Sequence, residues 1–128
     1  MAGWIWVSEA GALAAHREQL VEHGGGDGVR DIRLFECAMA RPQNLAAYGE
    51  PDAAELAASY AFGLAKNHPF VDGNKRTAAV VNEGFLVKNG YVLAARNAEV
   101  AAIFEALAAG DLSEKELAEW LRERISVV

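Results

Sequence analysis

The chain has very little cysteine. Cys37 is its single thiol. It stands outside any CxxC or Cys/His spacing, which excludes an internal disulfide and points to a buried structural thiol in a reducing compartment. Long apolar runs are missing too, since no stretch approaches the roughly 18 residues that span a bilayer. The N-terminus, MAGWIWVSEAG, has no basic region and meets Glu9 too early for a signal peptide, so a cytoplasmic location is expected. Excess positive charge is absent: 12 Lys and Arg stand against 18 Asp and Glu, a net charge of −6. Nonspecific affinity for DNA, RNA or anionic lipid depends on Lys and Arg displacing counterions, so any phosphate recognition here must be local. Repeats, low-complexity tracts and domain linkers are not found.

What is present is a single-domain chain of 128 residues with apolar residues spread along its length. Ser8 can cap a first helix with Leu13, His16, Leu20 and Val21 on one side, ending at Gly24 to Gly26. The stretch Gly24 to Gly28 is predicted to be a loop. A second helix begins around Asp31, with Ile32, Phe35, Met39 and neighbouring Leu34 and Ala38 at helical spacing, and Pro42 marks its expected end. RPQNLAAYGEP then reads as irregular or a short hairpin. Asp52 can cap a third helix in which Leu56, Tyr60, Gly63 and Leu64 share a face, suiting a central buried element. The fourth runs from about Asn74 to Lys88 with Ala78, Val81, Phe85 and Leu86 inward, and Asn89-Gly90 stops it. A short extended piece is expected at Tyr91 to Leu93, a helix capped by Asn97 through Ala109, and a last helix opened by the capping box Ser113 to Glu116 and running through Leu121. Trp4 and Trp6 suggest a brief extended start. The fold class is all-α, with about six helices.

Between the third and fourth helices the segment HPFVDGNKRT places His68, Asp72, Asn74, Lys75 and Arg76 within nine positions. The Asp-Gly step makes a tight turn, and the following residues open a helix whose first N–H groups have no intrahelical partner. With the helix dipole, and with Lys75 and Arg76 beside it, this is an anion site suited to phosphate. Asp72 is better placed to hold a divalent cation that bridges phosphate oxygens. His68 can accept a proton from an attacking hydroxyl, since imidazole titrates near neutrality. Phe70 is expected to point inward and pin the loop. Taken singly, each residue has an ordinary structural reading: a helix-end His, a turn Asp, two cations set against the helix dipole. The set is neither a Walker A loop, because GxxxxGK[ST] is missing, nor a His/Cys zinc motif, because no second His or Cys stands four residues after His68. His16 and His23 have no motif partners and read as structural or surface positions.

The segment resembles the signature HPFx[D/E]GNxRxxR of the Fic/Doc family, with the resemblance strongest to the short death-on-curing (Doc) branch. GGxxGVRD, ARPQNLAAYGEP and NGY also look like that branch, so the likeness covers most of the chain. It implies an all-α Fic fold with the motif loop before a central helix and a short flap hairpin. It further implies His68 as general base for a target hydroxyl and Asp72 as the Mg²⁺ ligand. Gly73, Asn74 and Lys75 would form the anion-binding turn, and Arg76 would clamp nucleotide phosphate. Arg41 to Glu50, with Arg41, Asn44 and Tyr48, would be the flap that positions a target by strand-like pairing, with a plain surface loop as the alternative.

The departures from the signature bear on the reaction. Adenylylating members have Gly after the Asn and a second Arg three residues beyond the first; here those positions are Lys75 and Ala79. The Doc branch carries the same Asn-Lys-Arg-Thr run and, with ATP, phosphorylates a threonine of elongation factor Tu. Gly73 is the residue of the adenylylating type, so the motif is a hybrid. Phosphoryl transfer is the favoured expectation, with AMP transfer or nucleotide and partner binding without catalysis as alternatives. The inhibitory pattern [S/T]xxxE[G/N] is missing, since the only Glu-Gly step is Glu83-Gly84 and the residue four before Glu83 is Ala79. A separate, Phd-like antitoxin with a tail that folds on binding is then implied.

Overall fold

The computed structural model describes residues 3–128. Among them the element order is α1 (Glu9–His23), α2 (Ile32–Tyr48), α3 (Ala53–Asn67), α4 (Asn74–Lys88), β1 (Tyr91–Leu93), α5 (Asn97–Ala109), α6 (Glu114–Arg122) and β2 (Ile125–Val127). The all-α expectation with six helices holds.

Helix α3 is the centre. Eleven of its 15 residues are buried, including Leu56, Tyr60, Gly63 and Leu64, and α2, α4, α5 and α6 all pack against it. Its start is fixed by a reciprocal capping box, in which Asp52 accepts from the Glu55 N–H and the Glu55 carboxylate accepts from the Asp52 N–H. Small residues let neighbours come close. A Cβ on Gly63 would lie 3.1 Å from Ala38 Cα, so α2 crosses α3 at near-backbone contact.

That contact explains the largest departure from expectation. Pro42 does not end α2, which continues to Tyr48. A proline inside a helix costs about 3 kcal/mol. Here Phe35, Ala38, Met39 and Pro42 form one buried stripe, and burying large apolar side chains at roughly 1.5–3 kcal/mol each offsets that cost. The stretch expected to be irregular or a short hairpin is therefore helix through Tyr48, a correction of its conformation: Arg41, Asn44 and Tyr48 all lie on α2. The small sheet lies elsewhere, where β1 pairs antiparallel with β2 through Tyr91 and Val127, Val92 and Ser126, and Leu93 and Ile125. Other corrections follow from helix phase. Cys37 is exposed, because two residues beyond Phe35 is some 200° around the helix from the buried stripe. Val21 and Ile32 are likewise exposed near helix ends. Arg96 rather than Asn97 precedes α5 as its cap residue, with Glu99 accepting from the Arg96 N–H.

The N-terminal segment docks on the core without forming a strand. Trp4 and Trp6 each lie 5.9 Å from the Phe85 ring, and the Val7 N–H donates to the Tyr60 hydroxyl. Asn89 brackets Ile5, accepting from its N–H and donating to its carbonyl. Among the described residues no helix is long and apolar enough to cross a membrane.

Candidate functional site

The loop from His68 to Gly73 joins the centre of the fold to α4. His68 caps α3 in the left-handed conformation, φ 48°, and it is the one non-glycine residue with positive φ among those described. Pro69 disfavours right-handed helical geometry for the residue before it, so the helix stops here, with the imidazole exposed. Arg30 holds this end, its guanidinium donating to the carbonyls of Asn67 and His68.

Phe70 is buried at 1% exposure, as expected, and packs flat on His16 with ring centroids 3.8 Å apart. The Asn74 side chain closes the loop from the other side. It accepts from the Phe70 N–H and donates to the Phe70 carbonyl, both at 3.0 Å. Asn74 is thus buried and its amide is spent within the loop, leaving only its backbone N–H to face an anion. The glycine-rich stretch after α1 runs alongside: Val29 bridges Phe70, the Val71 N–H donates to Gly28, and the Arg30 and Asp31 N–H groups share the Pro69 carbonyl.

Asp72 is exposed, with Oδ1 accepting from the Gly73 N–H at 2.7 Å. Its Oδ2 has no hydrogen-bond partner among the described residues. Space around that oxygen depends on Gly25, φ +120°, because a Cβ there would sit 2.6 Å from Oδ2. Gly73, φ 79°, then turns the chain into α4, and no side chain caps that helix. Its first N–H groups lack intrahelical partners and carry the positive end of its dipole, at residues that line a cavity. Arg76 is exposed and makes no side-chain hydrogen bond or ion pair among the described residues, whereas Lys75 pairs with Glu105 of α5 at 2.6 Å.

A cavity of about 340 Å³ is lined wholly by His68 and the residues from Val71 to Arg76. Lys75 and Arg76 also border a second cavity of about 510 Å³, whose apolar wall includes Ala79, Val80, Val100 and Phe104. Six residues singled out in the sequence, His68, Asp72, Gly73, Asn74, Lys75 and Arg76, thus meet at one place. Arg41, Asn44 and Tyr48 line neither cavity. Arg41 instead pairs with Glu114 and lies over the Phe62 ring, Asn44 is exposed, and Tyr48 is 92% exposed. A depression of about 620 Å³ beside α6 sets Glu116, Glu119 and Glu123 around Arg122, which is already paired with Asp52, so its net charge disfavours an anion.

Compared with known proteins, residues 6–86 match the model of the Fic/DOC family. The chain belongs to the Fic/DOC family. Within it the likeness is to the death-on-curing branch. The chain is 33% identical over 117 residues to "Protein kinase doc" of Escherichia phage P1, covering 91% of this chain and 92% of that protein. It is 45% identical over 78 residues to "Toxin Doc" of Mycolicibacterium smegmatis, covering 59% of each.

A family member of this kind is expected to use a magnesium nucleotide, and Asp72 fits one. Among the described residues its Oδ2 has no hydrogen-bond partner, in an opening kept by Gly25. One carboxylate suits Mg²⁺, which keeps several waters and takes its other ligands from substrate phosphates. Three residues that build the site, His16, Arg30 and Gly25, are not evident from the sequence. The GGxxGVRD segment is visible there as a likeness, but nothing in it reveals which residues reach the motif.

Proposed function

We propose that this Fic/DOC member is the toxin of a type II toxin–antitoxin pair, a cytoplasmic kinase that moves the γ-phosphoryl group of ATP to a hydroxyl of a translation factor resembling elongation factor Tu. The observation that carries the reading is the placement of Lys75 and Arg76 on the rim between the two cavities, beside the uncapped start of α4, with Ala79 where a second phosphate clamp would stand. Arg76, without an ion-pair partner among the described residues, supplies cationic charge at the turn beside His68 and Asp72, and Lys75 adds to it while shared with Glu105. A nucleotide whose terminal phosphate sits at that turn gains most from it.

In this scheme His68 accepts the proton of the target hydroxyl. The hydroxyl oxygen forms a bond to the γ-phosphorus as the bond to the β–γ bridging oxygen breaks, and its electron pair leaves with ADP. Developing negative charge is met by the N–H groups opening α4 and by Arg76. Magnesium, held through Asp72, would neutralise phosphate charge when bound. Positioning and charge stabilisation supply the acceleration, and no covalent enzyme intermediate is required.

The name of the phage relative agrees with kinase activity, and that of the mycobacterial relative with a toxin. Glu83 borders the larger cavity on α4, but Ala79 stands where the inhibitory pattern needs Ser or Thr, which supports restraint by a separate, Phd-like antitoxin. Gly73 favours the second reading, transfer of AMP with release of pyrophosphate, because it is the residue of adenylylating members. Incubation of protein targets with ATP labelled separately at the α- and γ-phosphates tests the proposal. Label from γ supports the kinase, label from α supports AMP transfer, and no label across a broad panel supports binding alone. Growth arrest on expression, abolished by His68→Ala, is the expected cellular result; equal growth with both would contradict the toxin reading.

A further inference from the structure

We propose that His16 is a positioning residue for the transfer loop, holding the Asp72–Gly73 peptide in the orientation that the chemistry uses. The inference rests on the phosphoryl-transfer reading for its kinetic consequence, and on the geometry alone for its structural one.

His16 lies on α1, far in sequence from the motif, and with Ala12 it is one of two buried residues in that helix. Only 2% of it is exposed. A histidine placed there for bulk alone would need no polar contact with the loop. Instead its Nε2 lies 2.8 Å from the Asp72 carbonyl oxygen. A carbonyl can only accept, so Nε2 carries the hydrogen and donates it. The same ring stacks on Phe70 at an interplanar angle of 9°, and a Cβ on Gly73 would lie 3.6 Å from His16 Cδ2. One side chain therefore touches the inward anchor of the loop, the residue with the unpaired carboxylate oxygen, and the turn that opens α4.

The Asp72–Gly73 peptide is fixed at both ends. Its carbonyl oxygen accepts from His16, and its N–H donates to Asp72 Oδ1 at 2.7 Å. This peptide would otherwise be the weak point of the loop. Gly73 has φ 79°, and glycine populates positive and negative φ about equally, so rotation of the peptide meets little steric resistance. Such a rotation turns the Gly73 N–H away from Oδ1 and lets the Asp72 carboxylate swing. Asn74 fixes the backbone of Phe70 and the Gly28 carbonyl fixes Val71, but neither reaches the Asp72 carbonyl. Among the described residues His16 makes the one side-chain hydrogen bond to it.

Two substitutions separate the donor from the ring. His16→Phe keeps an aromatic face against Phe70 and removes the hydrogen bond; His16→Gln replaces the ring with a side-chain amide able to donate at about the same reach. The first readout is hydrogen exchange of the Gly73 amide in the nucleotide-free protein. It should quicken in His16→Phe and return toward wild type in His16→Gln, while amides in the middle of α3 stay protected in both. The second is kinetic. In His16→Phe, kcat should fall by on the order of tenfold to a hundredfold with KM for the target protein little changed, and His16→Gln should recover most of it. Unchanged Gly73 exchange in His16→Phe overturns the proposal, as does equal loss in both variants, which is the mark of a packing role. Should the wild-type protein move no phosphate, the transfer reading fails, and the exchange result still decides the role of His16.

Discussion

Arg30 grips His68 by its backbone, not by its imidazole: Nε donates to the His68 carbonyl at 2.7 Å while Nη2 reaches the Asn67 carbonyl at 2.9 Å. The last carbonyls of a helix lack intrahelical partners, and a cation there also complements the dipole. Arg30→Ala removes both bonds, at about 1 kcal/mol of stability, and frees the base to wander. Transfer should drop by roughly tenfold or more, with Arg30→Lys intermediate because an ammonium lacks the two-pronged geometry. Thermal melting and kcat, measured on the same preparations, check this; an Arg30→Ala protein with wild-type kcat would remove Arg30 from the site.

His68 itself combines a strained backbone with an exposed side chain. His68→Ala should abolish transfer and leave nucleotide binding and the helical spectrum nearly intact. His68→Gly should be equally inactive and more stable than His68→Ala by about 1 kcal/mol, since left-handed geometry costs an L-residue about that much. Denaturant unfolding of the two variants makes the comparison; an alanine variant as stable as the glycine one would mean that the loop relaxes out of the left-handed region.

Gly25 should be intolerant for a reason that belongs to Asp72. A methyl group there meets Oδ2 at 2.6 Å, and φ +120° strains any L-residue. Gly25→Ala should raise the Mg²⁺ concentration needed for half-maximal transfer and should lower stability modestly. A titration of activity against Mg²⁺ reads the effect, and an unchanged midpoint would separate Gly25 from the metal.

Much of the fold is legible in the sequence, and some of it is not. The cap at Asp52, the capping box at Ser113, the glycine stop after α1 and the inward Phe70 are local signals, decided within a few residues, and the structure has them. Pro42 is different. Its local rule is outweighed by burial of the stripe Phe35, Ala38, Met39 and Pro42. The hairpin conformation expected around Arg41, Asn44 and Tyr48 goes with it, because their backbone is helical, and Arg41 is turned toward α6. In the motif, contiguity reveals which residues belong together but not how each is used. Nothing local shows that the Asn74 amide faces its own loop, or that His16 and Arg30 arrive from 56 and 38 residues away.

Acid stability offers an independent check on the frame. Hydrogen bonding to Arg122 holds the Asp52 carboxyl below its ordinary value of 3.8, outweighing partial burial, which acts in the opposite sense. A folded-state value below the unfolded one means that the contribution is fully present above about pH 4 to 5 and fades as pH falls through the folded value. Arg122→Gln should flatten this part of the profile of melting temperature against pH between about 5 and 2. Parallel profiles for the two proteins would show that the pair does not act on stability. Because both groups are about half exposed, raising salt should shrink the difference.

Which phosphorus the loop presents to His68 decides the reaction. The most direct measurement is the intact mass of a purified elongation factor Tu-like target after incubation with ATP, Mg²⁺ and the wild-type protein, beside a His68→Ala control. The expected result is a mass increase of one phosphoryl group that is absent from the control. An increase of one adenylyl group would assign the protein to AMP transfer, and with it would fall the role of Lys75 and Ala79 in selecting the γ-phosphate.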